Sequence, residues 1–209
     1  MKFLDKFLLK GVKKEMQNTL EKHIDKSKYL TQIKVECFIE TINNIDINEL
    51  SIYKLKKILL AKWLIKNFEI LDYNAKFDDR VLIKSFSVKE DIKKRIEEVL
   101  ILDFKSGAGD IKFKYKNNKI WLALNSYHND IYFLNKDTNE RKNLSSIEEF
   151  LSCENRLTKK ELNELLIELE KALDSFNNVI EKEKEKRKIS KQKDEEFKKR
   201  MKDVIKELE

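Results

Sequence analysis

Two histidines, His23 and His128, and two cysteines, Cys37 and Cys153, are all the imidazole and thiol in the chain. They stand far apart in sequence, so no His/Cys/Asp cluster has zinc-ligand spacing and no disulfide framework is implied. The segment Lys105-Ser-Gly-Ala-Gly-Asp110 carries the glycines of a phosphate-cradling loop. It lacks the Gly-Lys-Ser/Thr ending, and it leads into a strand pattern where a P-loop must open onto a helix N-terminus. A metal-dependent nuclease core wants an acid on one strand and an acid-x-Lys on the next. Asp110 supplies the first, but Trp121-Leu-Ala-Leu-Asn125 supplies no second, and Asp78-Asp79 adjoin no such strand. No arginine lies a few residues before a histidine to make a ribonuclease pair, and Cys153, between Ser152 and Glu154, has no local base. Each familiar chemistry misses a required group. The expectation is a non-catalytic protein with no metal site and no cofactor.

Binding chemistry remains. Lys112, Lys114, Lys116 and Lys119 alternate with apolar residues, and Trp121 and Tyr132 follow close by. Ammonium groups that meet phosphates, with rings that stack on bases, suit a nucleic acid or another polyanion. Lys+Arg total 45 against 38 Asp+Glu, a net charge of +7. The surplus is local: +5 over residues 1–76, −1 over 77–103, +4 over 104–143 and −1 over 144–209. Lysines number 39 and arginines 6, which favours point contacts to phosphate over forked reading of base edges. An AT-rich genome, which raises Lys, Ile and Asn together, is the plainer source of much of that lysine.

The elements that must position these residues follow from the punctuation. The chain of 209 residues has no proline and three glycines, and its residues are 41% hydrophobic and 40% charged. A barrel or sandwich of many short strands needs more turn residues than this, so the expected fold is α+β and mainly helical. Three regions are expected: an N-terminal helical bundle over 1–103, a three-stranded antiparallel meander with a short helix over 104–157, and a long C-terminal helix over 158–209. Apolar spacing predicts helices near 2–25, 28–44, 52–72 (capped by Ser51) and 87–102, the last opened by a Ser87/Glu90 capping box. Residues 81–86 read as a short strand or a helical turn. Alternation over 111–116 and 119–125 predicts a hairpin turning at Asn117-Asn118. That register pairs Lys114 with Trp121 and Phe113 with Leu122. It puts Ile111, Phe113, Tyr115, Ile120, Leu122 and Leu124 on an inner face, and the lysines with Trp121 outside. A third strand, 131–135, adds Ile131 and Phe133 to the inner face and Tyr132 to the outer. Residues 137–143 read as a loop, and Ser145 with Glu148 starts a short helix.

Thr158 with Glu161 forms a capping box that opens the last helix. From there Leu162, Leu166, Leu169, Leu173, Phe176 and Ile180 step by fours and threes, a heptad seam. After a charged stretch, Phe197, Met201, Val204 and Leu208 resume it in phase. A continuous helix over 159–209 would be about 75 Å long, against a radius of gyration near 17 Å for a globule of this size. Phe176, Ile180, Phe197, Met201, Val204 and Leu208 are therefore the expected contacts to a protein partner or to a second copy in a homodimer. Lysines interrupt the longest apolar-rich stretch, residues 52–71, so no membrane span is expected. The overall expectation is a cytoplasmic interaction protein, with phosphate-backbone binding by the sheet as the alternative. A small, basic chain of this kind suits a phage or mobile-element accessory factor, such as an inhibitor of host defence.

Overall fold

The computed structural model describes residues 15–16, 27–48, 50–74, 89–97, 109–124, 131–145 and 158–208. The expected helix at 2–25, the 81–86 segment, the Ser87/Glu90 box and the short helix after Ser145 lie outside those residues, apart from residues 15–16, which are helical. The described elements run in the order α1 (27–44), α2 (Ile52–Asn67), β1 (Glu69–Asn74), α3 (Lys89–Glu97), β2 (Asp110–Tyr115), β3 (Asn118–Leu124), β4 (Ile131–Asn135), β5 (Glu140–Asn143) and α4 (Lys159–Leu208). The fold is α+β. Five strands form one antiparallel sheet in sequence order, and α4 is a single helix of 50 residues.

The expected meander is the middle of this sheet, and two strands extend it. On one side, α2 ends where the Phe68 N–H donates to the Leu64 carbonyl at 2.9 Å and Phe68 turns extended, with φ −136°. Spacing alone carries that helix on to residue 72, since Phe68 and Leu71 fall in phase with Leu64. The chain instead becomes β1 because Glu69–Asn74 finds a partner strand in β2. A bulge between Ile70 and Asp72 shifts the alternation by one residue, which brings Tyr73 opposite Ile111 and inside the core. Its ring stacks on Phe38 of α1 at 4.2 Å. Asp72, the neighbour of Tyr73 on this edge strand, meets Lys34 of α1 at 3.6 Å. On the far side, the expected loop at 137–143 contains β5, whose residues Glu-Arg-Lys-Asn are all polar. A short charged strand of this kind blunts the sheet edge against further pairing.

The described helices α1 to α4 contribute to one core with the inner face of the sheet. Cys37, Phe38 and Ile42 of α1, Ile58, Leu60 and Leu64 of α2, and Ile92 and Ile96 of α3 are buried with Ile111, Phe113, Ile120, Leu122, Ile131 and Phe133. Leu165, Leu169, Leu173, Phe176 and Ile180 of α4 complete it. The α4 capping box forms as expected. The Thr158 N–H donates to Glu161 Oε2 at 2.7 Å, and the Glu161 N–H donates to Thr158 Oγ1 at 3.2 Å. Those bonds hold the Glu161 carboxyl below the usual carboxylate range. Ser51 sits at the α2 N-cap position, but its side chain makes no capping bond.

Candidate functional site

The hairpin keeps its expected faces but not its expected register. Lys112 pairs with Trp121, Phe113 with Ile120, Lys114 with Lys119 and Tyr115 with Asn118. The turn therefore falls on Lys116-Asn117, with Lys116 in the left-handed region at φ 52°. Moving the pairing by two residues preserves the side-chain alternation, so Phe113 and Leu122 stay buried in the core and Lys112, Lys114 and Lys119 stay on the outer face. The cause is Asn118, which α4 takes into its own contacts. Its amide nitrogen donates to Asn177 Oδ1 at 2.7 Å and to Glu181 Oε1 at 2.6 Å, and its oxygen accepts from Lys184. With Asn118 and Asn177 both buried, these bonds satisfy amides that would otherwise be costly to bury. The left-handed backbone then falls on Lys116, a cost on the order of 1–2 kcal/mol. Lys116 Nζ is 2.8 Å from Asp174 Oδ1 of α4, and the Tyr115 hydroxyl donates to the same carboxylate. Both contacts hold the Asp174 carboxyl below its usual range. The Asn118 and Lys184 bonds do the same for Glu181. Lys116 is thus a clamp on α4, not a member of the outer face.

The outer face itself is basic, and cationic side chains lie over its rings. Trp121 is only 7% exposed. Lys112 Nζ lies 5.1 Å from its ring centre and Lys136 Nζ lies 4.1 Å away. The Arg141 guanidinium sits 3.8 Å from the Tyr132 ring, and Arg141 Nε donates to Asn143 Oδ1 at 2.9 Å. Long cationic side chains lie down over neighbouring rings on a sheet surface, and the cation–π attraction adds about 0.5–1 kcal/mol at such sites. Each ring carries a cation, and Trp121 is nearly covered while Tyr132 stays partly exposed. Lys114 pairs with Glu69 across the β1–β2 edge at 3.3 Å, and Lys119 is exposed.

Helix α4 falls into two stretches of different character. Up to Arg187 it is fastened to the sheet. Arg187 closes that stretch by donating from Nη1 to the Asp137 carbonyl at 3.1 Å and from Nη2 to the Thr138 carbonyl at 2.6 Å. Those carbonyls are presented by the β4–β5 turn, where Asn135 Oδ1 accepts the N–H groups of Asp137 and Thr138 at 2.9 and 3.0 Å. Phe176 and Ile180 belong to the fastened stretch. Phe176 is 1% exposed and stacks on Phe133 at 5.9 Å, so both residues are core and neither is a partner contact. From Lys188 to Asp203 every residue is exposed, including Phe197 at 64% and Met201 at 46%. The helical backbone continues through Val204 to Leu208; the side chains of those two seam residues lie outside the description. From Lys188 to Leu208 this arm is about 30 Å long.

Other chemistry is sparse among the described residues. No group of three or more His, Cys, Asp or Glu is placed to hold a metal ion, and His23, His128 and Cys153 lie outside the description. Burial pushes the Cys37 thiol above its ordinary pKa, the reverse of an activated nucleophile. A cleft of about 330 Å³ between α1, α2 and α3 is lined by Thr41, Asp46, Lys54, Lys93 and Glu97. Lys93 is already held by Glu40 at 2.6 Å. No described helix is long and apolar enough to cross a membrane. No protein-family model, curated protein or solved structure matches the chain.

Proposed function

We propose that this is a non-catalytic interaction protein that binds a protein partner through the projecting arm of α4. One observation carries the reading: Phe197 and Met201 lie exposed on the same heptad seam whose earlier members, Phe176 and Ile180, are packed in the core. Large apolar side chains repeated in phase on an otherwise charged helix lower the free energy only when a second surface covers them. The polar clamp at Asp174, Asn118 and Arg187 supports the same reading, since it fixes the direction in which the arm leaves the sheet. The test is capture from source lysate by the full chain and by its Phe197→Ala/Met201→Ala variant, with and without nuclease. A protein retained by the wild type, lost by the variant and unaffected by nuclease is the expected result. Equal capture by both proteins refutes the reading.

A second reading keeps the outer sheet face as a phosphate-backbone surface without stacking. It rests on Lys112, Lys119, Lys136 and Arg141 all reaching that face. Binding to a duplex that weakens steeply between 50 and 300 mM salt, and fails in Lys112→Glu/Lys119→Glu, would favour it. Binding that is flat with salt would remove it.

A further inference from the structure

We infer that the partner of the arm is a helix whose apolar seam is flanked by acidic residues, and not a second copy of this chain. The inference rests on the arm being an interaction element, and it concerns the chemistry of what docks there. Extending the seam from Phe176 and Ile180 places Glu183, Arg187, Ser190, Asp194, Phe197 and Met201 at the central positions. Within the arm, the positions flanking the seam over 188–200 are then Lys191, Lys193, Lys198 and Arg200, all basic and all exposed, before Ile205 and Glu207 end the two rows. The acids of the same stretch fall elsewhere, Glu195 and Glu196 on the outward faces and Asp194 in the seam itself. A charge sum over the C-terminal region is close to zero and hides this, because the cancelling charges sit on different sides of one cylinder.

Flanking positions choose partners in paired helices, since they face each other across the seam. In a parallel pair of this chain, Lys193 of one copy would meet Lys198 of the other. In an antiparallel pair centred on the basic stretch, Lys193 would meet Arg200 and Lys191 would meet Lys198. Either arrangement sets like charges together along the contact. A helix with Glu or Asp in its flanking rows places a carboxylate against each ammonium group instead, and a cation or an amide opposite Asp194 would set the register. The apolar stripe is also narrow: Arg187, Ser190 and Asp194 interrupt it, where a helix lying in a lipid surface presents a broad unbroken apolar face.

The experiment uses the full chain and two labelled four-heptad peptides, both with Leu in the seam. One carries Glu in its flanking rows and the other carries Lys. Fluorescence anisotropy between 50 and 300 mM salt should show the acidic peptide binding at least about 10-fold tighter, with the difference shrinking as salt rises. Phe197→Ala/Met201→Ala should lose the acidic peptide. Lys191→Glu/Lys193→Glu/Lys198→Glu/Arg200→Glu, on exposed positions, should reverse the preference while urea unfolding stays unchanged. Equal binding of the two peptides, binding of neither, or a preference that survives the charge reversal overturns the inference. So does tighter binding to phosphatidylserine vesicles or to a DNA duplex, or a concentration-dependent dimer of the chain at physiological salt. If lysate capture depends on Phe197 and ignores the charge reversal, the interaction arm stands and only its acidic preference falls.

Discussion

Phe176 and Phe197 occupy equivalent seam positions of one helix, and the same substitution at each should have opposite consequences. Phe176 is 1% exposed and lies nearly parallel to Phe133, with ring centres 5.9 Å apart. Truncating it to alanine removes a buried ring and leaves a cavity between α4 and β4, at a cost of about 3–5 kcal/mol. A domain of ordinary stability has only about 5–15 kcal/mol to lose. Phe197 is 64% exposed, so its truncation opens no cavity. Alanine is also the better helix former by about 0.5 kcal/mol. Phe197→Ala should therefore stay within about 0.5 kcal/mol of wild type. The assay is urea unfolding of the full chain followed by far-UV circular dichroism. At a slope near 2 kcal/mol per molar, Phe176→Ala should lower the midpoint by about 1.5–2.5 M with the slope unchanged. Phe197→Ala should leave the midpoint in place. A loss above about 1.5 kcal/mol for Phe197→Ala would mean that the arm packs against the globule, and the division of α4 at Arg187 would be wrong.

Asn118→Ala removes a buried amide and strands Asn177 Oδ1; it should cost about 2 kcal/mol, with clear coupling to Asn177→Ala in a double-mutant cycle. Additive effects would show that the pair does not set the hairpin register. Asp174 has a depressed pKa because of Lys116 and Tyr115, so its contribution is present above the ordinary carboxylate value and is lost as pH falls through the lowered one. Unfolding midpoints measured from pH 7 down to pH 2 should fall less steeply at the acid end in Asp174→Asn; identical profiles would contradict the clamp. Thr158→Ala should destabilise by about 1 kcal/mol, since it removes the acceptor of the Glu161 N–H, and an unchanged melting curve would contradict that capping role.

Much of the sheet was legible because strand alternation has a period of two. Ile111, Phe113, Ile120 and Leu122 share a face in every register of the same parity, so a two-residue slip leaves them there. The slip itself was not legible, because Asn117-Asn118 is the better local turn and only α4 makes Asn118 more valuable in the strand. Strand β1 was hidden for a related reason: Phe68 and Leu71 satisfy helical spacing, and the gain from pairing with β2 is non-local. Strand β5 has no apolar residue to announce it. The rings of Trp121 and Tyr132 looked open because a sequence does not show which cation lies over which ring. The basic flanks of the arm were within reach of sequence reasoning, since they emerge once charges are sorted by heptad position instead of summed.

The sequence by itself determined the periodicities: a mainly helical α+β chain, a two-sided hairpin and one unbroken C-terminal seam. Those are local properties, set by which side chains recur on the same side of a strand or helix. Tertiary structure alone decided where that seam stops being core and becomes surface. The sheet is only wide enough to cover α4 as far as Arg187, and beyond the β4–β5 turn no described part of the fold covers Phe197 or Met201.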